Sequence, residues 1–230
     1  MQVKPDAHDF KRLVHDTPRV SHCECGVEPP ELYESDAWLY RRAAGRHRHH
    51  HDAYTNGYKL PKHFPRDALK NGIVRTSDAA RPRDPVAQTA HKLVRVGAKP
   101  MGYDFGGSAF FSHTGGTQGL PTERNVAYLA TSGGRAVAIL TAVRTRTWVD
   151  YKPGFEGEIP QHMEHSPCVS FVFVAKNARG RGLARKLAEH CAAEDGISLS
   201  ELVWLTPFSS AGLGFVYDLL DAPNSIRVDR

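Results

Sequence analysis

Hydrophobic and polar positions follow clear periods mainly in the second part of the chain. Residues 124–151 contain two apolar runs around a Ser132-Gly133-Gly134 turn, which predicts two strands joined as a hairpin. Residues 168–175, rich in β-branched and aromatic side chains, predict a third strand. Apolar residues then recur at helical spacing over 183–192, opposite a charged face, and predict an amphipathic helix.

Two more elements are predicted after this helix. Residues 201–208 predict a fourth strand, and residues 209–221 predict a helix with Ser209 or Ser210 as its N-cap. The order of hairpin, strand, helix, strand and helix is typical of one α/β domain. We assign this domain to residues 88–230.

Residues 1–87 show weaker patterns and are predicted to be a partly ordered N-terminal extension. They hold eight of the 15 prolines, and the tract at 45–57 is polar and rich in histidine. Short helices are expected at 31–45 and 65–72. Residues 87–97 predict a short helix that runs into a strand.

Composition excludes a few classes of protein. A hydrophobic content of 40% and a charged content of 24% are ordinary for a globular domain. No apolar run approaches the roughly 18 residues that a membrane span requires, so no membrane partner is expected. The first residues lack the apolar core of a signal peptide, and four scattered cysteines form no disulfide framework. We therefore expect a cytoplasmic protein.

Charge is concentrated in one segment. Residues 41–100 hold 14 Lys and Arg against 4 Asp and Glu, although the net charge of the chain is only +5. This excess of positive charge is typical either of a segment that binds nucleic acid or of an ordinary solvated surface. Aromatic platforms for unpaired bases are few, because the segment contains only Tyr54, Tyr58 and Phe64.

The stretch VAKNARGRGLARKL, residues 174–187, lies between the third strand and the amphipathic helix. A strand followed by glycines and a helix is a common phosphate site, because the helix N-terminus presents unpaired N–H groups. A P-loop is excluded because Leu183 follows Gly182 where a lysine is needed. A dinucleotide fingerprint fits poorly because Arg185 stands where the third small residue belongs.

The segment Arg179-Gly180-Arg181-Gly182-Leu183-Ala184 resembles the acyl-CoA-binding motif of the GNAT superfamily, the Gcn5-related N-acetyltransferases. The resemblance covers about residues 88–220 and implies a mixed central sheet with flanking helices. It implies that the backbone N–H groups of 180–184 bind the pyrophosphate of acetyl-CoA, with charge added by Arg179 and Arg181. It also implies that Phe173 and Val174 pair with the pantetheine arm, and that a backbone N–H near them polarises the acyl carbonyl.

Two catalytic residues are suggested by the same resemblance. Tyr217 is the candidate acid that protonates the CoA thiolate, although an aromatic residue on such a helix also suits the core. Glu164, flanked by His162 and His165, is the candidate base that accepts the proton of the amine, and a solvated surface carboxylate is its alternative.

A weaker likeness links the chain to the sister-chromatid cohesion acetyltransferases, which join a zinc finger to this fold. It rests on Phe208-Ser209 followed by Gly212-x-x-Phe215. Cys23 and Cys25, with histidines among residues 47–51, raise a metal hypothesis, but one intervening residue is short of the usual Cys-x₂₋₄-Cys spacing. We expect no zinc and assign no metal ligand.

The predicted function is an N-acyltransferase that moves an acetyl group from acetyl-CoA directly to an amine. The class of the amine acceptor is left open by the sequence, since acceptor pockets are built from variable loops, here residues 102–121 and 151–165. The alternative is a nucleic-acid-associated binding or base-modifying protein that uses residues 41–100.

Overall fold

A computed structural model describes most of the chain. The described residues are 10, 13–14, 23–28, 30–33, 35–65, 72–78, 80, 83–101, 125–154, 161–221 and 224–229, and of 32–33, 144–147 and 161–165 the backbone alone is described. The predicted helix at 65–72 and the predicted acceptor loop at 102–121 lie outside these residues, apart from Pro65 and Gly72.

The described strands form one seven-stranded mixed sheet, which confirms the predicted architecture. Its order is β2-β3-β4-β5-β6-β7, and β1 pairs with β4. The pairs β5–β6 and β6–β7 are parallel, whereas the other pairs are antiparallel. The strands are β1 (Tyr58–Lys59), β2 (Ile73–Ser77), β3 (Asn125–Ser132), β4 (Arg135–Tyr151), β5 (Gln161–Val174), β6 (Val203–Trp204) and β7 (Ile226–Asp229).

Four α-helices flank the sheet in the described part of the chain, and polar side chains define several of their starts. Asp36 accepts hydrogen bonds of 2.9 Å from the N–H groups of the first turn of α1. The predicted N-cap Ser209 accepts from the Gly212 N–H at 3.1 Å and starts α4. The helices are α1 (Ala37–Asn56), α2 (Pro85–Ala98), α3 (Leu183–Glu194) and α4 (Ser210–Leu219).

Several boundaries differ from the sequence prediction. The polar tract at 45–57 is helical through Asn56, because α1 continues for 20 residues beyond its Asp36 cap. Residues 87–97 are helical throughout, and the strand predicted at 201–208 shrinks to two residues. The third strand begins at Gln161, so Glu164 lies within β5 and not before it.

One main hydrophobic core unites the described parts of the chain. Phe10, Tyr54 and Val74 are buried in the same cluster as Ile139 and Leu187. Residues before position 88 thus supply strands and core side chains to the sheet of the domain. Among the described helices, none combines the length and the apolar character that crossing a membrane would need.

Candidate functional site

The loop between β5 and α3 is exposed at residues 179–182 and leads directly into α3. Gly180 and Gly182 have φ values of 72° and 70°, a left-handed conformation that favours glycine, and Gly182 is the N-cap of α3. No side chain caps this helix start. Within the described part of the chain, the N–H groups of 180–185 donate no recorded hydrogen bond. A helix start of this kind can bind a phosphate.

The two loop arginines are held in different ways. Arg179 Nε donates to the Val174 carbonyl at 3.1 Å, and its Nη2 donates to the Tyr54 hydroxyl oxygen at 3.1 Å. Its guanidinium also lies 5.5 Å from the centre of the Tyr54 ring. Arg181 is exposed and donates through Nη2 to the Asn177 carbonyl at 3.0 Å. Arg179 is thus fixed by two partners, whereas Arg181 extends over the loop surface.

Strand β5 extends beyond its neighbour β6. The pairing between them covers Cys168 and Val169 only, and the Leu205 N–H donates to the Val169 carbonyl at 2.9 Å. In the part of the chain that the structure describes, no strand lies on this side of residues 172–174, which remain paired with β4. An extended ligand can pair with such a strand edge through its own amides.

The β5 residues predicted to bind a ligand occupy this edge. Phe173 is buried, and its ring centroid lies 5.9 Å from that of Tyr54. The Val174 carbonyl already accepts from Arg179, so a ligand amide would use its second lone pair. A β-bulge interrupts the β4–β5 register at Ser170, whose hydroxyl lies 2.8 Å from that of Thr141. Bulges of this kind redirect strand groups next to active sites.

The helix residues predicted to bind the cofactor lie at the first turn of α3. Leu183 and Ala184 are half-buried and directly follow the Gly182 cap. An open groove of about 570 Å³ adjoins the loop on the side of the β3–β4 hairpin. Its lining includes Asn56, Gly72, Ala130, Arg135, Arg181 and Lys186. The cations at this groove favour an anionic ligand.

The two predicted catalytic residues occupy different settings. Tyr217 lies on the buried side of α4, with 4% of its surface exposed, and its ring packs edge-on against Phe10 at 6.2 Å. The backbone of Glu164 lies in β5, at a register break opposite β4 residues 145–147, and its side chain is outside the described structure. The same holds for the side chains of His162 and His165.

Comparison with solved structures finds partial likeness to two structures of the xEco2 acetyltransferase domain. One, in which that domain is bound to a K105-CoA conjugate, is 16% identical, with a TM-score of 0.49, over 69% of this chain and 92% of that chain. The other is 17% identical, with a TM-score of 0.46, over 69% of this chain and 89% of that chain. No family model matches the sequence, and no curated protein is significantly similar to it.

Four described side chains of types that can ligate a metal ion meet in one cluster, at which the sequence prediction expected no metal. The ligand atoms of Cys23, Cys25, His47 and His51 all lie within 4.8 Å of one another. The two sulfurs are 3.1 Å apart, and Cys23 Sγ lies 3.4 Å from His51 Nδ1. The histidines are four residues apart on α1 and therefore share one helix face.

The donor set fits zinc. In a tetrahedral Cys₂His₂ site the ligand atoms lie roughly 3.3–3.8 Å apart, given Zn–S of about 2.3 Å and Zn–N of about 2.0 Å. His47 also has a buried Nε2 without a hydrogen-bond partner among the described residues. Outside the ligand set, His50 Nε2 donates to the Cys25 carbonyl at 3.0 Å and holds the cysteine turn against α1. Burial raises the pKa of the Cys25 thiol to about 11.

The segment 41–100 offers little to stack on bases. Tyr54 and Phe64 are buried, and the half-buried Tyr58 ring lies under Lys92 at 5.2 Å. Its charge, however, is accessible, because the arginines of α1 are exposed: Arg41, Arg42, Arg46 and Arg48.

Proposed function

We propose that this chain is an acyl-CoA-dependent N-acyltransferase. The observation that carries the proposal is the uncapped α3 start, whose N–H groups at 180–185 donate no hydrogen bond to another described residue and lie near the edge of β5 at 172–174. A pyrophosphate at the helix start and an extended amide arm along the strand edge would use both features at once. Acetyl-CoA has these two parts in this order.

The reaction is a direct transfer. A neutral amine attacks the thioester carbonyl, a C–N bond forms, the C–S bond breaks, and CoA leaves as a thiolate. A backbone N–H near the end of β5 would stabilise the oxyanion that forms at the carbonyl. Glu164 would accept the proton lost by the ammonium, and the hydroxyl of Tyr217 would protonate the thiolate.

Acetyl-CoA binding and turnover test the proposal separately. Saturating acetyl-CoA at about 100 times its Kd stabilises the folded state by about 2.7 kcal/mol, which raises Tm by several degrees. Transfer is then measured as thiol release with a panel of small amines, lysine peptides and N-terminal peptides. Absence of both a Tm shift and a heat of binding refutes the proposal.

A second candidate function rests on the exposed arginines of α1. We propose that this helix attracts nucleic acid through phosphate contacts, as a partner of the enzyme or in place of catalysis. Electrophoretic mobility shifts with duplex and single-stranded DNA should weaken steeply with salt and on substitution of Arg41 and Arg42 by alanine. Binding that is unaffected by these substitutions argues against α1 as the interface.

A further inference from the structure

We propose that a zinc ion bound by Cys23, Cys25, His47 and His51 holds a clamp on the outside of the CoA loop and thereby controls the affinity for acetyl-CoA. This inference rests on the proposed function of the loop. The clamp consists of the cysteine turn, residues 23–28, and the C-terminal end of α1, residues 51–56. It meets the loop, residues 174–182, at three polar contacts.

The first contact comes from the cysteine turn itself. Glu24, which lies between the two cysteines, accepts a hydrogen bond of 2.7 Å from Lys176 Nζ in the loop. A displacement of the cysteine turn would therefore break an ion pair at the start of the loop.

The other two contacts come from the last turn of α1, directly after the ligand His51. Asn177 Nδ2 donates to Asn56 Oδ1 at 2.8 Å. Arg179 Nη2 donates to the Tyr54 hydroxyl, and the Tyr54 ring contacts the cation as well as Phe173. The clamp thus touches the strand edge and the first motif arginine.

The cysteine turn is seated on the rest of the domain. Cys25 is buried in the main core, Cys23 and Val27 pack against it, and Gly26 lies close to the backbone of Lys99 and Pro100. A structural zinc supplies folding free energy outright in small units of this kind. The ion would join the turn to α1 and so hold Glu24 and Tyr54 at the same time.

The mutual effect of zinc and acetyl-CoA on each other's binding can be measured without any catalytic activity. If zinc and acetyl-CoA are coupled through the clamp, each ligand strengthens the binding of the other by the same factor. We expect about a tenfold effect, within the 5- to 150-fold range usual for such coupling. Acetyl-CoA is the probe because its sulfur is acylated, whereas the free CoA thiol would itself bind zinc.

The experiment uses the full chain with one zinc per molecule, checked by elemental analysis and by Co²⁺ substitution, which reports tetrahedral thiolate ligation. Calorimetry should give an acetyl-CoA Kd about tenfold higher for His51→Asn than for the wild type. The matched control is His49→Asn, which removes an exposed histidine of the same helix and should leave both zinc and acetyl-CoA binding unchanged. Competition with a chelator should show zinc binding about tenfold tighter in saturating acetyl-CoA.

A second variant, which removes only the hydroxyl group of Tyr54, keeps the clamp testable if His51→Asn fails to fold. Tyr54→Phe should weaken acetyl-CoA binding about threefold by removing the hydrogen bond from Arg179. The same substitution should have no effect in an Arg179→Met background, because the partner is then absent. A purely structural role for Tyr54 would give the same loss in both backgrounds and would overturn the clamp.

The remaining outcomes are distinguishable. A wild-type chain that binds zinc but no acetyl-CoA refutes the proposed function and, with it, the clamp. Acetyl-CoA binding without any change in zinc affinity refutes the clamp alone and leaves the acyltransferase proposal standing. A purified chain that binds neither zinc nor Co²⁺ through its thiolates refutes the metal site.

Discussion

Replacing Gly182 by aspartate places one negative charge where the pyrophosphate is expected to bind. Gly182 caps α3 with a φ of 70°, and a Cβ added there meets nothing within 4 Å. The substitution therefore has room, and its cost to folding is the left-handed backbone, roughly 1 kcal/mol for a residue other than glycine. Asparagine and aspartate tolerate this conformation similarly and have nearly the same shape, so Gly182→Asn is the matched control.

The expected difference between the two variants is electrostatic. A carboxylate about 6 Å from one phosphate charge costs about 3 kcal/mol at an effective dielectric constant of 20. That energy corresponds to about a 100-fold increase in the acetyl-CoA Kd for Gly182→Asp relative to Gly182→Asn. The asparagine variant itself should remain within a few fold of the wild type.

Calorimetry at two ionic strengths is the assay, and thermal melts confirm that both variants fold. The ratio of the acetyl-CoA Kd values of the two variants should decrease at high salt because exposed charges are then screened. Arg181→Ala should weaken binding less than Gly182→Asp, since it removes one exposed cation and leaves the backbone N–H groups intact. Equal Kd values for the aspartate and asparagine variants would refute the placement of the pyrophosphate at this helix start.

Three other perturbations have defined outcomes. Tyr217→Phe should lower kcat and leave the acetyl-CoA Kd unchanged if the hydroxyl is the acid; unchanged turnover removes that role. Gly97→Ala should destabilise the fold by about 1–3 kcal/mol in urea unfolding, because the new Cβ would lie 2.5 Å from the ring of Phe173; an unchanged midpoint would contradict this packing. The hydrogen bond from Asn56 holds the pKa of Asp52 below its usual range, so its stabilisation is present above the unfolded pKa of about 3.9 and is lost as pH falls through the lower pKa of the folded state. The Tm of the Asp52→Asn variant should therefore fall less than that of the wild type as the pH is lowered. If Tm falls equally with pH in both proteins, Asp52 contributes nothing to the acid sensitivity.

The middle strands of the sheet and the glycine loop between β5 and α3 could be predicted from sequence because both depend on local patterns. Runs of apolar, β-branched and aromatic residues indicate β3, β4 and the second half of β5, and the two glycines at 180 and 182 mark a left-handed turn into an amphipathic helix. These signals need no distant partner. The length of β6 could not be predicted in the same way, because pairing with β5 and β7 decides where that strand ends.

The sequence analysis did not bring the two cysteines and two histidines together, because His47 and His51 share one face only when α1 is helical. The tract containing His47 and His51 is polar on nearly all sides, and only Ala43, Ala53 and Tyr54 of α1 are buried. Hydrophobic periodicity therefore gives almost no helical signal there. The short spacing of Cys23 and Cys25 does not keep their sulfurs apart, since these lie 3.1 Å from each other.

The contacts of the loop divide its cations into two kinds. Lys176 is neutralised by Glu24, and Arg179 is bound to Tyr54 and to the Val174 carbonyl, so both mainly fix the shape of the loop. Arg181 makes its one described hydrogen bond to a backbone carbonyl and remains exposed, so its charge is available to an anion. Motif arginines that look equivalent in the sequence therefore differ in their contacts: both are exposed, but the side chain of Tyr54, 125 positions away, engages Arg179, whereas the described hydrogen bond of Arg181 goes to a backbone carbonyl of its own loop.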